Sequence, residues 1–118
     1  MSISKITGDL AAGKTTARQH LETCLEAIDS EDGRRAFITV NSDAARAEAD
    51  RVDAMRAAGA TLPPFAGVTL SVKDLFDIAG EITRAGSRVL DGAAPAARDC
   101  SVVCLLYTSD AADEEASV

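Results

Sequence analysis

"FAGVTLSVKDLFDIAGEITRAGSRVL", residues 65–90, decides how this chain is read. Its first half alternates. Val68, Leu70 and Val72 fall on one face of an extended segment, Thr69, Ser71 and Lys73 fall on the other, and Leu75 and Phe76 follow directly. That alternation predicts the best strand in the chain, in a stretch that ends at Gly80. "EITRAGSRVL" comes next, with Gly86 and Ser87 at a turn-like position. Lysine is scarce: Lys5, Lys14 and Lys73 are the only ones. A lysine inside an apolar strand is partly desolvated. Desolvation favours the neutral amine, and a neutral lysine can serve as a general base. The competing reading is structural: a strand-end lysine paired with Asp74, or one whose methylene stem carries the ammonium out to water.

These residues closely resemble the amidase signature family. Members carry an apolar Gly-Val/Ile-Pro-x-x-Val-Lys-Asp strand and then a Gly-x-x-Thr-x-x-Gly-Ser loop. Here the first motif is Gly67, Val68, Val72, Lys73 and Asp74, and the second is Gly80, Thr83, Gly86 and Ser87. Thr69 departs from the family's frequent proline. Upstream, a helix, a Gly-x-x-Thr/Ser break, a second helix and an Ala-rich third helix precede the lysine strand, also as in the family. The likeness covers about residues 6–103. It implies an α/β fold with a mixed central sheet flanked by helices, of which this chain holds the N-terminal helices and the first strands. It further implies a mechanism. An unprotonated lysine takes a proton from a bridging serine held by a cis peptide, that serine activates a nucleophilic serine, and the nucleophile attacks a carboxamide to form an acyl-enzyme. Backbone N–H groups of a Gly-rich stretch stabilise the oxyanion. Lys73 matches the catalytic lysine. Asp74, Thr83, Gly86 and Ser87 match neighbouring positions that support the site.

The two serines of that unit lie in the family in a Gly/Ser-rich segment far downstream, and no such segment occurs here. Ser71 and Ser87 lack the Gly-rich setting. One member of a unit that acts together gives essentially no turnover alone, so the chain is expected to be an inactive N-terminal fragment. Its end is consistent with that expectation. "CLLYTSDAADE", residues 104–114, resembles one reading frame of a transposon-type sequencing-library adapter, which predicts that the native sequence ends near Val103 and that residues 104–118 are not native. The alternative is a short acidic disordered tail. For the parent, two activities stand open: amide hydrolysis to acid and ammonia or amine, and the amidotransferase A-type subunit that passes ammonia to misacylated tRNA with partner subunits. The substrate is a small amide in the first case, no cofactor is implied, and a dimer is open for the full-length parent.

Outward from the lysine segment, "TLPPF" reads as a stiff linker, because Pro63 and Pro64 block helix. Before it, residues 4–12 read as a short helix stopped by Gly13, with Thr15 or Thr16 capping a second helix in which Leu21, Cys24, Leu25 and Ile28 recur at helical spacing. "DSEDGRR" breaks that helix at a turn around Gly33, "AFITV" is a short strand, and Ser42 or Asp43 starts a third helix that runs to about Ala58. Val52 and Met55 face inward on it, and Gly59 ends it. Residues 1–60 are thus helical, and 65–90 hold the lysine strand and loop. Beyond them "DGAAPAARDCSVV" reads as a loop entering a helix, with Asp99 as its cap.

One motif competes with this reading. "GDLAAGKTT", residues 8–16, fits the phosphate-binding pattern G-x-x-x-x-G-K-[ST], which arises by accident in about 0.4% of chains this short. It would make the chain a small non-catalytic nucleotide-binding module. Its surroundings argue otherwise. Upstream, Ile3 and Ile6 are the only large aliphatics, too few for a buried strand. The loop interior Asp9-Leu10-Ala11-Ala12 is helix-forming and places a negative charge where phosphate would sit.

Composition fits one modest domain. The chain has 118 residues, 47% hydrophobic but only 3% aromatic, so its apolar content favours helices with small faces. The net charge of -7 argues against nucleic-acid binding through a basic face. Four acidic residues after Val103 supply -4 of it and leave an ordinary -3 for the rest. No apolar run approaches a membrane span and no signal-peptide core is present, which predicts a cytoplasmic protein. Cys24, Cys100 and Cys104 are odd in number and lack C-x-x-C spacing, the pattern of free buried thiols. His20 is the only histidine, so no metal site is expected.

Overall fold

The computed structural model describes residues 2–104, so the stretch read above as an adapter lies, apart from Cys104, outside the described residues. The backbone forms two compact units, Met1–Thr69 and Leu70–Val118.

The first unit is helical: α1 (Ile3–Ala11), α2 (Ala17–Asp29), α3 (Glu31–Ala36) and α4 (Ser42–Ala57). Local chemistry sets each boundary. The Ser2 hydroxyl accepts from Lys5 N–H at 3.2 Å and starts α1. At the other end Gly13 adopts φ 66°, Gly13 N–H donates to Leu10 O at 3.1 Å, and Lys14 N–H donates to Asp9 O at 2.9 Å. Those two bonds form a Schellman motif, whose left-handed residue is most often glycine. Thr16 and Gln19 then form a reciprocal capping box that opens α2. This resolves "GDLAAGKTT". Residues 9–11 lie within α1, so their N–H groups are engaged along a helix rather than free to cradle phosphate, and Lys14 is exposed beside Asp9, 3.7 Å away.

α2 packs chiefly against α4. Leu10, Ala17, Leu21, Ala49, Val52 and Ala66 form the buried cluster, with Ile6, Leu25, Ala45, Leu62 and Val68 packed on it. Polar groups complete the joint. The Asp53 carboxylate, on α4, accepts from Ala17 N–H at 2.8 Å and Arg18 N–H at 3.0 Å, so one side chain satisfies two open donors at the start of α2. Glu22 on α2 accepts from Arg18 at 2.7 Å and Arg46 at 2.8 Å.

Three expectations are corrected. "DSEDGRR" does break α2, but Gly33 lies within a helix and not in a turn. The Ser30 hydroxyl accepts from Gly33 N–H at 3.1 Å and starts the short helix α3, which runs to Ala36. Neither "AFITV" nor residues 68–73 is a strand, and no strand occurs among the described residues. A strand exists only through backbone bonds to a neighbour, and neither segment has a neighbouring strand there. The described residues therefore form helices and loops, and the α/β architecture stays an expectation carried by the family resemblance.

Among its described residues the second unit holds one 3₁₀ turn, Arg88–Leu90, and residues 101–104 are helical. The other described residues are loop, stitched by individual bonds. Gly80 N–H donates to Ala96 O at 2.9 Å, Ala96 N–H to Glu81 O at 2.8 Å, and Cys100 N–H to Asp77 O at 2.9 Å.

Candidate functional site

The lysine segment leads straight into a turn. Lys73 C=O accepts from Leu75 N–H at 2.7 Å and Phe76 N–H at 3.1 Å. Lys73 itself is exposed, as are Val72, Leu75 and Phe76. The desolvated lysine expected from the alternating pattern is thus not found in this structure. The apolar side chains around it are exposed, and among the described residues no strand pairs with the segment to cover it.

Asp74 is half-buried and does not pair with the lysine as one reading proposed. Its Oδ1 accepts from Arg84 N–H at 3.0 Å. Its Oδ2 is buried and has no hydrogen-bond partner among the described residues. That single bond ties the lysine-bearing turn to the loop ten residues on. A second tie lies beside it: the Thr83 hydroxyl donates to Asp77 Oδ1 at 2.6 Å. A third fastens the far end, where Ala79 N–H donates to Asp99 Oδ1 at 2.7 Å. Asp99 was expected to cap a helix and instead braces this loop.

Gly86 and Ser87 close the loop. Ser87 N–H donates to Arg84 O at 2.9 Å, and the two residues between them, Ala85 and Gly86, have φ of 51° and 71°. Positive φ at both central positions is the type I′ pattern. The Ser87 hydroxyl accepts from Val89 N–H at 3.3 Å and starts the 3₁₀ turn. Arg84 Nε donates to Asp91 at 3.1 Å across the same turn. The structure therefore joins Asp74, Thr83, Gly86 and Ser87 in one stitched loop beginning at Lys73. Sequence reasoning missed Asp77 and the bracing role of Asp99. Both act through contacts made across the loop, and only the density of aspartates after the lysine hinted at them.

Among the described residues no group of three or more His, Cys, Asp or Glu side chains could hold a metal ion. No described helix is long and apolar enough to cross a membrane. The first unit carries an open cavity of about 440 Å³ lined by Leu25, Ile28, Phe37 and Val40 with Glu22 and Arg46 among the polar groups, and it includes none of the site residues named above.

The chain is similar to several known proteins. The family model described as Amidase matches residues 19–112, a range that runs past Val103. AtzE of Pseudomonas sp. (strain ADP), which belongs to a 1-carboxybiuret hydrolase, is 41% identical over 112 residues, which cover 94% of this chain and 24% of the relative. The A-type subunit of the glutamyl-tRNA(Gln) amidotransferase from Synechococcus sp. (strain WH7803) is 41% identical over 96 residues, covering 80% of this chain and 20% of the relative. A solved structure, described as a vestigial protein complex that reveals the evolutionary origins of an s-triazine catabolic enzyme, superposes with a TM-score of 0.85 at 40% identity, covering 93% of this chain and 24% of that one. The chain thus spans about a quarter of the length of the relatives it matches.

Proposed function

The chain belongs to the amidase signature family, and on that premise we propose that it is the lysine-bearing portion of an enzyme that cleaves a carboxamide C–N bond, with Lys73 as the base. The carrying observation is the clasp between Asp74 and Arg84 N–H, which fastens the turn after Lys73 to the Thr83–Ser87 loop. That clasp fixes the backbone from which the lysine projects. The loop ties then act on position, while the proton transfer belongs to the Lys73 amine.

In this reading Lys73 Nζ accepts the proton of a bridging serine as that serine takes the proton of the nucleophile. The acyl-enzyme then passes its acyl group to water. Both serines would be contributed by downstream sequence. Lys73 alone supplies one part of a cooperative unit, so residues 1–118 by themselves have no measurable amidase turnover. The parent would have the mixed sheet of an α/β fold, with residues 68–73 paired in it, and would need no cofactor.

A second reading concerns the fate of the acyl group. The likeness to A-type amidotransferase subunits favours a parent that releases ammonia for transfer and works with partner subunits. Both readings share the lysine. The test joins this chain to the downstream part of a relative and supplies a panel of small amides, including carboxybiuret and glutamine. Acylation is expected, and Lys73→Ala is expected to abolish it. Acylation at the normal rate in that variant would remove Lys73 as the base. The amide that is cleaved separates hydrolase from amidotransferase.

A further inference from the structure

Three side chains that amide chemistry does not use meet at residue 69. His20 and Cys24 lie one turn apart on α2, and Thr69 reaches both. Its Oγ1 is 3.3 Å from Cys24 Sγ and 3.4 Å from His20 Nε2. Sγ and Nε2 are themselves 4.0 Å apart. All three residues are half-buried. A nucleophile within hydrogen-bond reach of a base, with a third group holding the two in place, is the arrangement that activates a thiol. His20 is the only histidine in the chain. Thr69 is the residue that stands where the family often has proline, and proline would bring no hydroxyl to this point.

We propose that Cys24 is a nucleophilic thiol, activated by His20 through Thr69, and that it forms mixed disulfides with small disulfides. The proton path runs from the thiol to the Thr69 oxygen and from the Thr69 hydroxyl to His20 Nε2, in the tautomer that carries its proton on Nδ1. The thiolate then attacks one sulfur of the disulfide. The new Cys24 S–S bond forms as the old S–S bond breaks. The leaving thiolate takes the proton back from His20 and departs as a thiol. Cys24 is oxidised, one sulfur of the reagent is reduced, and no other reactant is needed. The site lies wholly within the first unit and does not depend on the amidase reading.

The chain provides its own controls. Cys104 is exposed, and Cys100 is half-buried like Cys24. Exposure alone would make Cys104 react first. The test treats the intact chain with oxidised glutathione at neutral pH and follows each cysteine by peptide mass mapping. Cys24 is expected to react about tenfold faster than Cys104. His20→Gln and Thr69→Val should each bring Cys24 down to the rate of Cys100, while Thr69→Ser should retain the advantage. Modification of Cys104 ahead of Cys24, or an unchanged Cys24 rate in His20→Gln, would overturn the proposal. Where a variant loses its helical circular dichroism, the ranking of the three cysteines in the unaltered chain decides alone.

Discussion

A methyl group at position 67 has no room. Gly67 has φ 90°, and a Cβ placed there would lie 2.9 Å from Ala17 Cβ and 3.4 Å from Leu10 Cδ1, two residues of the buried cluster. Gly67→Ala adds a clash to a strained backbone and is expected to cost about 1–3 kcal/mol, read as a lower denaturant midpoint of the helical signal. An unchanged midpoint would mean that the turn before residue 68 is not held against α1 and α2. Glu22 gives a prediction of a different kind. Hydrogen bonds from Arg46 and then Arg18 lower its pKa from 4.5 to about 2. A carboxylate with a depressed folded-state pKa contributes stability that is full above 4.5 and is lost as pH falls toward about 2. Glu22→Gln should therefore weaken the chain at pH 6 and flatten its loss of stability between pH 5 and 2, measured by denaturation at each pH. Added salt should shrink the difference, because these charges remain partly solvated. A Glu22→Gln profile parallel to that of the unaltered chain would show that the arginines do not hold this carboxylate in solution.

At the scale of elements, the start of α2 is over-determined. Thr16 and Gln19 close a capping box there and Asp53 reaches across from α4 to two further N–H groups. Thr16→Ala is expected to lose about 1 kcal/mol, and Asp53→Ala more, since it leaves two donors open at a partly buried joint. Thermal melts followed at 222 nm rank the two, and the reverse order would place the main cap in Thr16. These helices were legible because their signals are local. Gly13 after an apolar turn, a threonine at 15 or 16 as a cap, and the spacing of Leu21 and Leu25 all act within one or two turns. α3 was not legible. Ser30 followed by Gly33 reads equally as a turn or as a cap, and the competition is settled by the single bond from Gly33 N–H to the Ser30 hydroxyl. The lysine segment shows the opposite limit. Alternation at Val68, Leu70 and Val72 states a preference for a pleated, half-buried surface, but a strand needs a second chain segment that the described residues do not provide. The position of Lys73 was therefore readable while its environment was not, and the bonds of Asp74, Asp77 and Asp99 were beyond any local pattern.

The molecule as a whole is uneven in what holds it. The first unit has a contiguous buried cluster, whereas in the described part of the second Val103 is the only buried hydrophobic residue. There Leu70 is 64% exposed, Leu75 55% and Val89 89%. A segment held by scattered individual hydrogen bonds opens more readily than packed helices. Hydrogen exchange should thus show amides of residues 70–100 exchanging well before those of α2 and α4. Equal protection would mean that the second unit is stabilised by more than the bonds described. The exposed apolar side chains carry a further consequence, because exposed contiguous apolar surface binds hydrophobic dyes and invites association. The chain should bind such a dye strongly, and a Val72→Ser, Leu75→Ser double variant should bind it less without losing helical signal, since neither residue supports a helix. Undiminished dye binding would move the apolar surface elsewhere. The same residues connect this property to chemistry. In an extended segment Leu75 shares the side of Lys73, so a partner that covers Leu75 also takes water from the amine. A lysine that serves as a base only when desolvated would then become one only when its apolar neighbours are buried.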